Sequence, residues 1–404
     1  MILFLLLWRQ TGKWPWLAAS ALLGGLSLGV HSSVALAAPG VLVYLAVTTL
    51  IPFRGTSPRP LPKRERGQTW LAAVGGALLG VGLAFAAFLA LDASNPDAGY
   101  YHATVQPALS VWGMTEADFD LPLQRLRFLY AARQFNYAMF SNSAEIMPFT
   151  FGIYRDVVNM VFAPFSLALM GLGLVGLFFP RWREGLLLLT GWGVGMVFIT
   201  NYNIFDVVVF FVPTFIFLAL WIGTGLGTLM QVIAAGVKRL RLEKWAVPAA
   251  ALLGVVVLRL TVQYWVGMAV ETWEAKAVVF MRGTEFEEYP YPLDDPQAPH
   301  AEAQGLVEAV EEDAIVFMGW DLLFPCYFVA HVEEGRTGMD FHETYPQEGV
   351  TEIAESTAAY IEANLLTRPV YFLERPSGTI IRRYEITVVN RDGIMLYQVV
   401  RAKP

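Results

Sequence analysis

The feature that most constrains this fold is the placement of Lys and Arg among the long apolar runs before residue 270. These residues lie in short clusters between the runs: Arg9 with Lys13; Arg54, Arg59, Lys63, Arg64 and Arg66; Arg181 with Arg183; and Lys238, Arg239, Arg241 and Lys244. Basic residues in short loops stay on the cytoplasmic side of a membrane. If each apolar run crosses once, the clusters fall on alternate loops, as this rule requires. The pattern predicts a polytopic α-helical membrane protein.

The lengths of the apolar runs give the predicted crossings. A hydrocarbon core of about 30 Å requires roughly 20 apolar residues in a helix. The sequence predicts a short partial span, MILFLLL, at its start and full spans at about 15–30, 33–52, 69–91, 158–180, 185–201, 205–230 and 246–268. We therefore expect a multi-span region at 1–268 and an extracytoplasmic domain at 270–404. We expect the protein in a bacterial plasma membrane.

Composition supports a membrane protein and gives no support for a nucleic-acid partner. The mean hydropathy is +0.47, and only 16% of the residues are charged. The net charge of -7 reflects acidic residues that lie mostly after residue 270, so it offers no basic surface to a nucleic acid. The single cysteine, Cys326, cannot form an internal disulfide, and we interpret it as a small buried apolar residue.

Residues 92–157 form the first predicted region outside the membrane. Within it, 121–139 has apolar residues at helical spacing and contains Arg125, Arg127 and Arg133. This pattern predicts a helix that lies along the membrane surface. A helix that packs against the span ends is an equally good interpretation.

Residues 270–404 have the alternation of a small α/β domain that buries its own core. Residues 314–320 and 369–375 are short apolar runs typical of buried strands. Residues 351–366 have the pattern of an amphipathic helix, and 384–400 that of a hairpin with its turn at Asn390-Arg391-Asp392-Gly393.

No motif for a bound cofactor is present. The chain has no Gly-rich phosphate loop after a strand and no GxSxG elbow. The histidines, His31, His102, His300, His331 and His342, show no ligand spacing, so the sequence predicts no metal site.

The remaining candidates for chemistry lie at the outer turns of the spans. His31 follows the first full span, while Asn201, Asn203 and Asp206 precede the 205–230 span. An ionisable group at such a depth is costly and often functional. For Asp206, the alternative is a helix cap satisfied by the amides of its own helix. For His31, the alternative is a polar turn residue.

Three segments resemble membrane glycosyltransferases that are similar to protein O-mannosyltransferases, namely glycosyltransferase family 117, formerly domain-of-unknown-function family 2723. The segments are GLSLGVHSSVALAAPGVLVYL (25–45), RQFNYAMF (133–140) and NYNIFDVVVFFVPTFIFLALWIGTGLG (201–227). With the C-terminal α/β segment, the resemblance covers nearly the whole chain. It implies a GT-C-like helical bundle with an outward-facing active site. It also implies transfer of a sugar, such as mannose, from a polyprenyl-phosphate donor to a protein or glycan acceptor.

One departure from the family pattern concerns the catalytic base. GT-C enzymes carry a catalytic acidic residue in the first outer loop, whereas this chain has no Asp or Glu before Glu65, which the topology makes cytoplasmic. We therefore expect the principal base outside this chain, which would make the chain a C-terminal portion, the product of a fragmentary gene model, or one half of a split enzyme. Its partners would be the lipid bilayer, the sugar donor, the acceptor and a separate N-terminal half.

This interpretation assigns candidate substrate contacts to residues of the outer loop and of the turn before the 205–230 span. Arg125, Arg127 or Arg133 would meet the donor phosphate, while Asn203 and Asp206 would line the pocket. The alternative is a non-catalytic membrane scaffold whose outer α/β domain binds a partner. A transporter is a weaker interpretation, because no inverted repeat is visible.

Overall fold

The computed structural model describes residues 1–30, 32–51, 63–178, 181–204, 207–275, 297–347, 350, 352–376, 378–391 and 393–404. The chain is mostly helical, with a small sheet near its C-terminal end. The helices are α1 (Ile2–Thr11), α2 (Trp14–Ser27), α3 (Ala38–Leu50), α4 (Lys63–Ser94), α5 (Pro122–Tyr130), α6 (Ser143–Val161), α7 (Pro164–Phe178), α8 (Trp182–Ile199), α9 (Val212–Arg239), α10 (Ala246–Ala275), α11 (Ala298–Ala309), α12 (Trp320–Tyr327), α13 (Glu355–Asn364) and α14 (Gly378–Arg383). The strands are β1 (Ile315–Met318), β2 (Asp340–Glu343), β3 (Val370–Phe372), β4 (Tyr384–Arg391) and β5 (Ile394–Ala402).

The chain divides into two compact units, each made of two segments. Unit 1 comprises Met1–Phe85 and Ala138–Glu285, and unit 2 comprises Ala86–Tyr137 and Phe286–Pro404. The expected division at residue 269 therefore differs from the observed one, because 86–137 folds with the C-terminal segment. Sequence patterns show where elements begin and end, but not which distant elements share a core.

Candidate membrane spans lie mainly in unit 1. Within the described residues, Gly67–Ser94, Val207–Arg239 and Ala246–Gly267 are long and apolar enough to cross a membrane. The pair Ser143–Val161 and Pro164–Leu177 counts as one more if it forms a single span, bent by 105°. The predicted span 158–180 thus begins inside α6 and contains a sharp break, consistent with the restriction that Pro164 places on the residue before it. Helices α2, α3 and α8 lie at the predicted spans 15–30, 33–52 and 185–201, but they are not among the candidate spans of the described residues.

Small residues bring the helices of unit 1 close together. A methyl group at Gly76 would lie 2.5 Å from the carbonyl oxygen of Ala18, and one at Gly80 would overlap the carbonyl of Leu22. Helices α2 and α4 therefore pack backbone to backbone there. Small residues allow this approach in lipid, where apolar surface alone does not drive helices together.

The sheet of unit 2 has the strand order β2-β1-β3-β5-β4. Strands β1, β2 and β3 run parallel, while β5 is antiparallel to both β3 and β4. Side chains alternate along β1, so Val316 and Met318 join one core with α11 and α12. Ile315 and Phe317 join the opposite core with α13. The predicted strands at 314–320 and 369–375 and the hairpin at 384–400 are confirmed.

Two predicted helices of unit 2 are shorter than expected. The helix predicted at 121–139 ends at Tyr130, because Ala132 adopts a left-handed conformation with φ 48°. The helix predicted at 351–366 covers Glu355–Asn364, and its N-cap is Ala354. Residue 351 lies outside the described residues.

Candidate functional site

Three side chains of the types that bind metal ions converge at the edge of the sheet in unit 2. His102 lies in the π-helical turn Tyr101–Val105, and Asp340 and His342 lie on β2. One donor atom from each lies within 4.8 Å of the other two. Because strand side chains alternate, Asp340 and His342 occupy the same face of β2. Pairing of this edge strand with β1 fixes the height of both residues along the sheet.

His342 is fully buried, and both of its ring nitrogens have partners. Its Nδ1 lies 3.1 Å from the backbone carbonyl oxygen of His102, which can only accept, so Nδ1 carries the proton. Its Nε2 lies 2.9 Å from the hydroxyl of Tyr360 and accepts from it. The imidazole is therefore held as one neutral tautomer.

His102 and Asp340 form the more accessible part of the cluster. The Nε2 of His102 lies 3.1 Å from Oδ1 of Asp340, and its Nδ1 lies 2.7 Å from Oε1 of Gln106. The other carboxylate oxygen of Asp340 accepts a hydrogen bond from Arg368 at 2.5 Å. Arg368 also donates to the carbonyl oxygen of Asp313, so it connects Asp340 on β2 with the segment that precedes β1.

Burial and hydrogen bonds shift the pKa values of the three residues of the cluster in different directions. Burial and, to a smaller extent, the neighbouring His102 together lower the pKa of His342 to about 3. Burial would raise the pKa of Asp340, but hydrogen bonds from His102 and Arg368 lower it to about 2. Burial also opposes a charge on His102, yet the hydrogen bond to Asp340 outweighs it and raises the pKa of His102. Asp340 therefore stabilises the protonated form of His102, while the neighbouring His342 is held neutral.

Sequence spacing did not reveal this cluster, because His102 and Asp340 are 238 positions apart. The available signal was the run Asp340-Phe341-His342-Glu343, in which polar residues alternate around a buried Phe341. Such an alternation indicates a strand with two polar groups on one face. No sequence pattern indicated that His102 packs against that face.

A second group of charged side chains, the carboxylates of Glu302, Asp321 and Glu374, lies near Gly319 at the C-terminal end of β1. A methyl group at Gly319 would lie 2.8 Å from Oδ1 of Asp321 and 2.9 Å from Oε1 of Glu374, so both carboxylates crowd this glycine. Burial and the charge of Asp321 raise the pKa of both Glu302 and Glu374. Because the negative charge of Asp321 contributes to both shifts, the carboxylates of this group repel one another.

Arg125, a predicted contact for the donor phosphate, is engaged within unit 2. Its Nη1 lies 3.2 Å from a carboxylate oxygen of the buried Asp92, and its Nε donates to the carbonyl oxygen of Phe119 at 3.2 Å. The guanidinium carbon lies 4.8 Å from the ring centroid of Tyr101. These contacts hold the end of α4 against α5. Arg127 and Arg133, by contrast, are exposed.

Asn201 and Asn203 lie in unit 1 and have different environments. Asn201 is buried, and its side-chain amide donates to the carbonyl oxygen of Val197 at 2.7 Å. Its backbone carbonyl accepts from the amide of Phe140 at 2.8 Å. Asn203 is exposed, and its backbone amide donates to the carbonyl oxygen of Ala138 at 2.9 Å. Asn201 therefore closes the end of α8, and only the Asn203 side chain is accessible.

The structure does not place the two ionisable candidates of the outer turns. His31 and Asp206 both lie outside the described residues. Their predicted roles remain predictions. The residues that follow them, Val34 and Val207, begin apolar helical segments.

Comparison of this chain with protein-family models, curated proteins and solved structures gave no match.

Proposed function

We propose that this protein is a membrane glycosyltransferase of the GT-C type, or the C-terminal portion of one. It would transfer a sugar from a polyprenyl-phosphate donor to an extracytoplasmic protein or glycan acceptor. The observation that carries the proposal is the convergence of the three segments that resemble this family. Ala37 and Tyr44 of the first segment, Ala138 of the second, and Tyr202 and Phe217 of the third belong to one buried core.

Backbone contacts support this convergence. Met139 and Tyr202 form an isolated antiparallel bridge, so the segments around 138–140 and 201–203 lie side by side. A methyl group at Gly40 would lie 2.7 Å from the carbonyl oxygen of Leu187, so α3 packs closely on α8. Segments far apart in the chain thus share one region of unit 1, as expected of parts of one site.

Because two separate segments of the chain form unit 2, they support an extracytoplasmic position for each other. Parts of one folded unit must lie on the same side of a membrane, so the number of crossings between 94 and 298 must be even. The proposal assigns four crossings to this stretch, namely the α6–α7 pair, α8, α9 and α10. Of these, α9, α10 and, if it forms one span, the α6–α7 pair are long and apolar enough to cross a membrane. With the basic clusters around 181–183 and 238–244 inside, this arrangement would put unit 2 outside. There, lipid-linked donors rather than cytosolic nucleotide sugars supply the sugar.

Because Arg125 forms an ion pair with Asp92, it is a weaker candidate for contact with the donor phosphate. A guanidinium that already pairs with a buried carboxylate adds little attraction for a phosphate. The exposed Arg127 and Arg133 are the better candidates for the donor phosphate. We assign no principal base within this chain.

Donor binding tests the proposal without requiring a complete active site. The purified full-length chain in nanodiscs is irradiated with a photoreactive polyprenyl-phosphate-mannose analogue, with and without excess unlabelled donor. We expect competed labelling that falls several-fold in Arg127→Ala with Arg133→Ala. The matched control is Arg155→Ala, which removes an exposed arginine of unit 1 that pairs with its neighbour Asp156. Labelling that the unlabelled donor does not compete would contradict the proposal.

A non-catalytic scaffold is the second candidate, favoured by the same engagement of Arg125. In this alternative, unit 2 binds a partner protein and the chain binds no sugar donor. Loss of donor labelling together with retained capture of a specific membrane partner would favour the scaffold.

A further inference from the structure

The donor set of the cluster at the sheet edge is that of a transition-metal site. Two imidazoles and one carboxylate are common ligands of zinc and related ions. The 3.1 Å between Nε2 of His102 and Oδ1 of Asp340 is close to the separation of about 3.3 Å between two ligands bonded to one tetrahedral zinc ion at about 2.0–2.1 Å. We propose that His102, Asp340 and His342 bind a divalent transition-metal ion such as Zn²⁺.

The hydrogen bonds around the cluster orient the ligands as metal sites require. Metal-binding histidines usually donate their second ring N–H to a carbonyl or carboxylate, which fixes the tautomer and directs the free nitrogen to the ion. His342 donates through Nδ1 to the His102 carbonyl, and His102 points Nδ1 at Oε1 of Gln106. Arg368 likewise fixes the carboxylate of Asp340. Each proposed ligand therefore has a partner that holds it in place.

Tyr360 competes with the metal ion for His342. The Nε2 of His342 accepts a hydrogen bond from the Tyr360 hydroxyl at 2.9 Å and cannot bind an ion with the same lone pair. Removing that hydroxyl frees the nitrogen. If the cluster is only a hydrogen-bond network, removal of the Tyr360 hydroxyl takes away one contact and creates no affinity for metal ions.

The role of the ion is to join the two segments of unit 2. His102 belongs to 86–137, and the other two ligands belong to 286–404. His342 is fully buried, and the side chains of His102 and Asp340 are only 16% and 12% exposed. Three protein ligands leave the fourth position of a tetrahedral ion to a water molecule, and the low exposure of the cluster keeps the ion largely inside unit 2.

The test uses the full-length chain in detergent, purified through a tag without histidine and stripped with a chelator. Zn²⁺ uptake is measured by equilibrium dialysis with mass spectrometry, and Co²⁺ is added as a coloured probe. We expect about one tightly bound Zn²⁺ per chain and a Co²⁺ absorption spectrum typical of nitrogen and oxygen ligands. Gln106→Ala is expected to lower the affinity by roughly 10–100-fold through loss of ligand orientation.

The variants separate a metal site from a hydrogen-bond network. His102→Gln and His342→Gln should each weaken binding by more than Gln106→Ala does, whereas Tyr360→Phe should bind Zn²⁺ at least as tightly as the wild type. His331→Gln is the matched control, because His331 lies in the same unit but outside the cluster, with its Nε2 2.8 Å from the carbonyl oxygen of Met339. The proposal is overturned if the wild type takes up no Zn²⁺, or if His102→Gln retains it. Should His342→Gln fail to fold, weaker binding by folded Tyr360→Phe than by the wild type also overturns it.

Discussion

His342, on the edge strand of the sheet, donates its Nδ1–H to the backbone carbonyl of His102, 240 positions earlier in the chain. This hydrogen bond joins the two segments of unit 2. Ser110 and Ser356 join the same segments again, since the hydroxyl of each accepts a hydrogen bond from the backbone amide of the other at 3.1 Å. Ser110 thereby satisfies a free amide in the first turn of α13. The C-terminal α/β fold is therefore completed by residues from a distant part of the chain.

The first prediction concerns this completion. Although the patterning of 270–404 led us to expect autonomous folding, 286–404 alone would expose the buried His342 and the surface covered by Ala103. We expect the isolated fragment to melt at a lower temperature and less cooperatively than a fusion of 86–137 to 286–404 through a Gly/Ser linker. Calorimetry of the two proteins measures the difference. Equal, cooperative melting would show that 86–137 adds nothing to the stability of the C-terminal segment.

The second prediction concerns the Asp92–Arg125 ion pair. Asp92 is buried, so Arg125→Ala leaves an uncompensated carboxylate and should destabilise the protein by about 3–5 kcal/mol. Arg125→Leu combined with Asp92→Leu should recover most of that loss, because both charges are gone. Thermal unfolding in detergent gives both values, with the exposed Arg127→Ala as the control. If the double variant is no more stable than Arg125→Ala, the pair itself is not the cause.

The third prediction compares two glycines of one helix. Gly80→Ala would press its methyl group into the backbone of α2, which should cost about 1–3 kcal/mol. Gly82→Ala meets no atom within 4 Å and should be neutral or stabilise the helix by up to about 1 kcal/mol. Fluorescence-detected size-exclusion chromatography after heating measures both variants. Similar melting temperatures for the two would contradict the close packing of α2 and α4.

The fourth prediction concerns pH and Glu374. Its pKa is raised in the folded state, so its contribution to stability is fully present below its unfolded pKa and is lost as the pH rises through the folded pKa. Glu374→Gln should therefore raise the melting temperature relative to the wild type at pH 8, and by less at pH 5. Glu312→Gln, another exposed glutamate of unit 2, is the control. A stabilisation by Glu374→Gln that is larger at pH 5 than at pH 8 would have the wrong sign.

The fifth prediction concerns topology. Both segments of unit 2 should face the outside, so Glu116→Cys and Glu333→Cys should react with an impermeant thiol reagent on intact cells. Lys244→Cys, between α9 and α10, should react only after lysis. The native Cys326 is buried and serves as an internal blank. Labelling of only one of the two unit 2 sites would contradict a shared side for the two segments.

Several local elements were predictable because they depend on neighbouring residues. The hairpin of β4 and β5 was predicted at 384–400, and Gly393 adopts φ 90° in its turn, with its amide bonded to the side chain of Asn390. The helix after Leu121 was predicted too long. A left-handed residue such as Ala132 carries no signature in the sequence, because surrounding contacts impose it.

In the candidate sites, too, single residues could be recognised in the sequence, but their partners could not. Arg125 was recognisable as a positive charge near the membrane, but its partner Asp92 is 33 positions away, at the end of another helix. His102 was known only as an isolated histidine. Its carboxylate partner on β2 became evident only from the pairing of the strands.

The sequence by itself determined the apolar helices, the loops that carry positive charge, and the strands with their turn, because hydrophobic periodicity and turn chemistry act over a few residues. The tertiary structure decided that 86–137 belongs with the C-terminal sheet, that Arg125 is engaged by Asp92, and that His102 meets Asp340 and His342. These outcomes depend on burial and hydrogen bonding between segments more than a hundred residues apart or on different helices. Such contacts are selected by the free energy of the whole fold, and no local pattern records them.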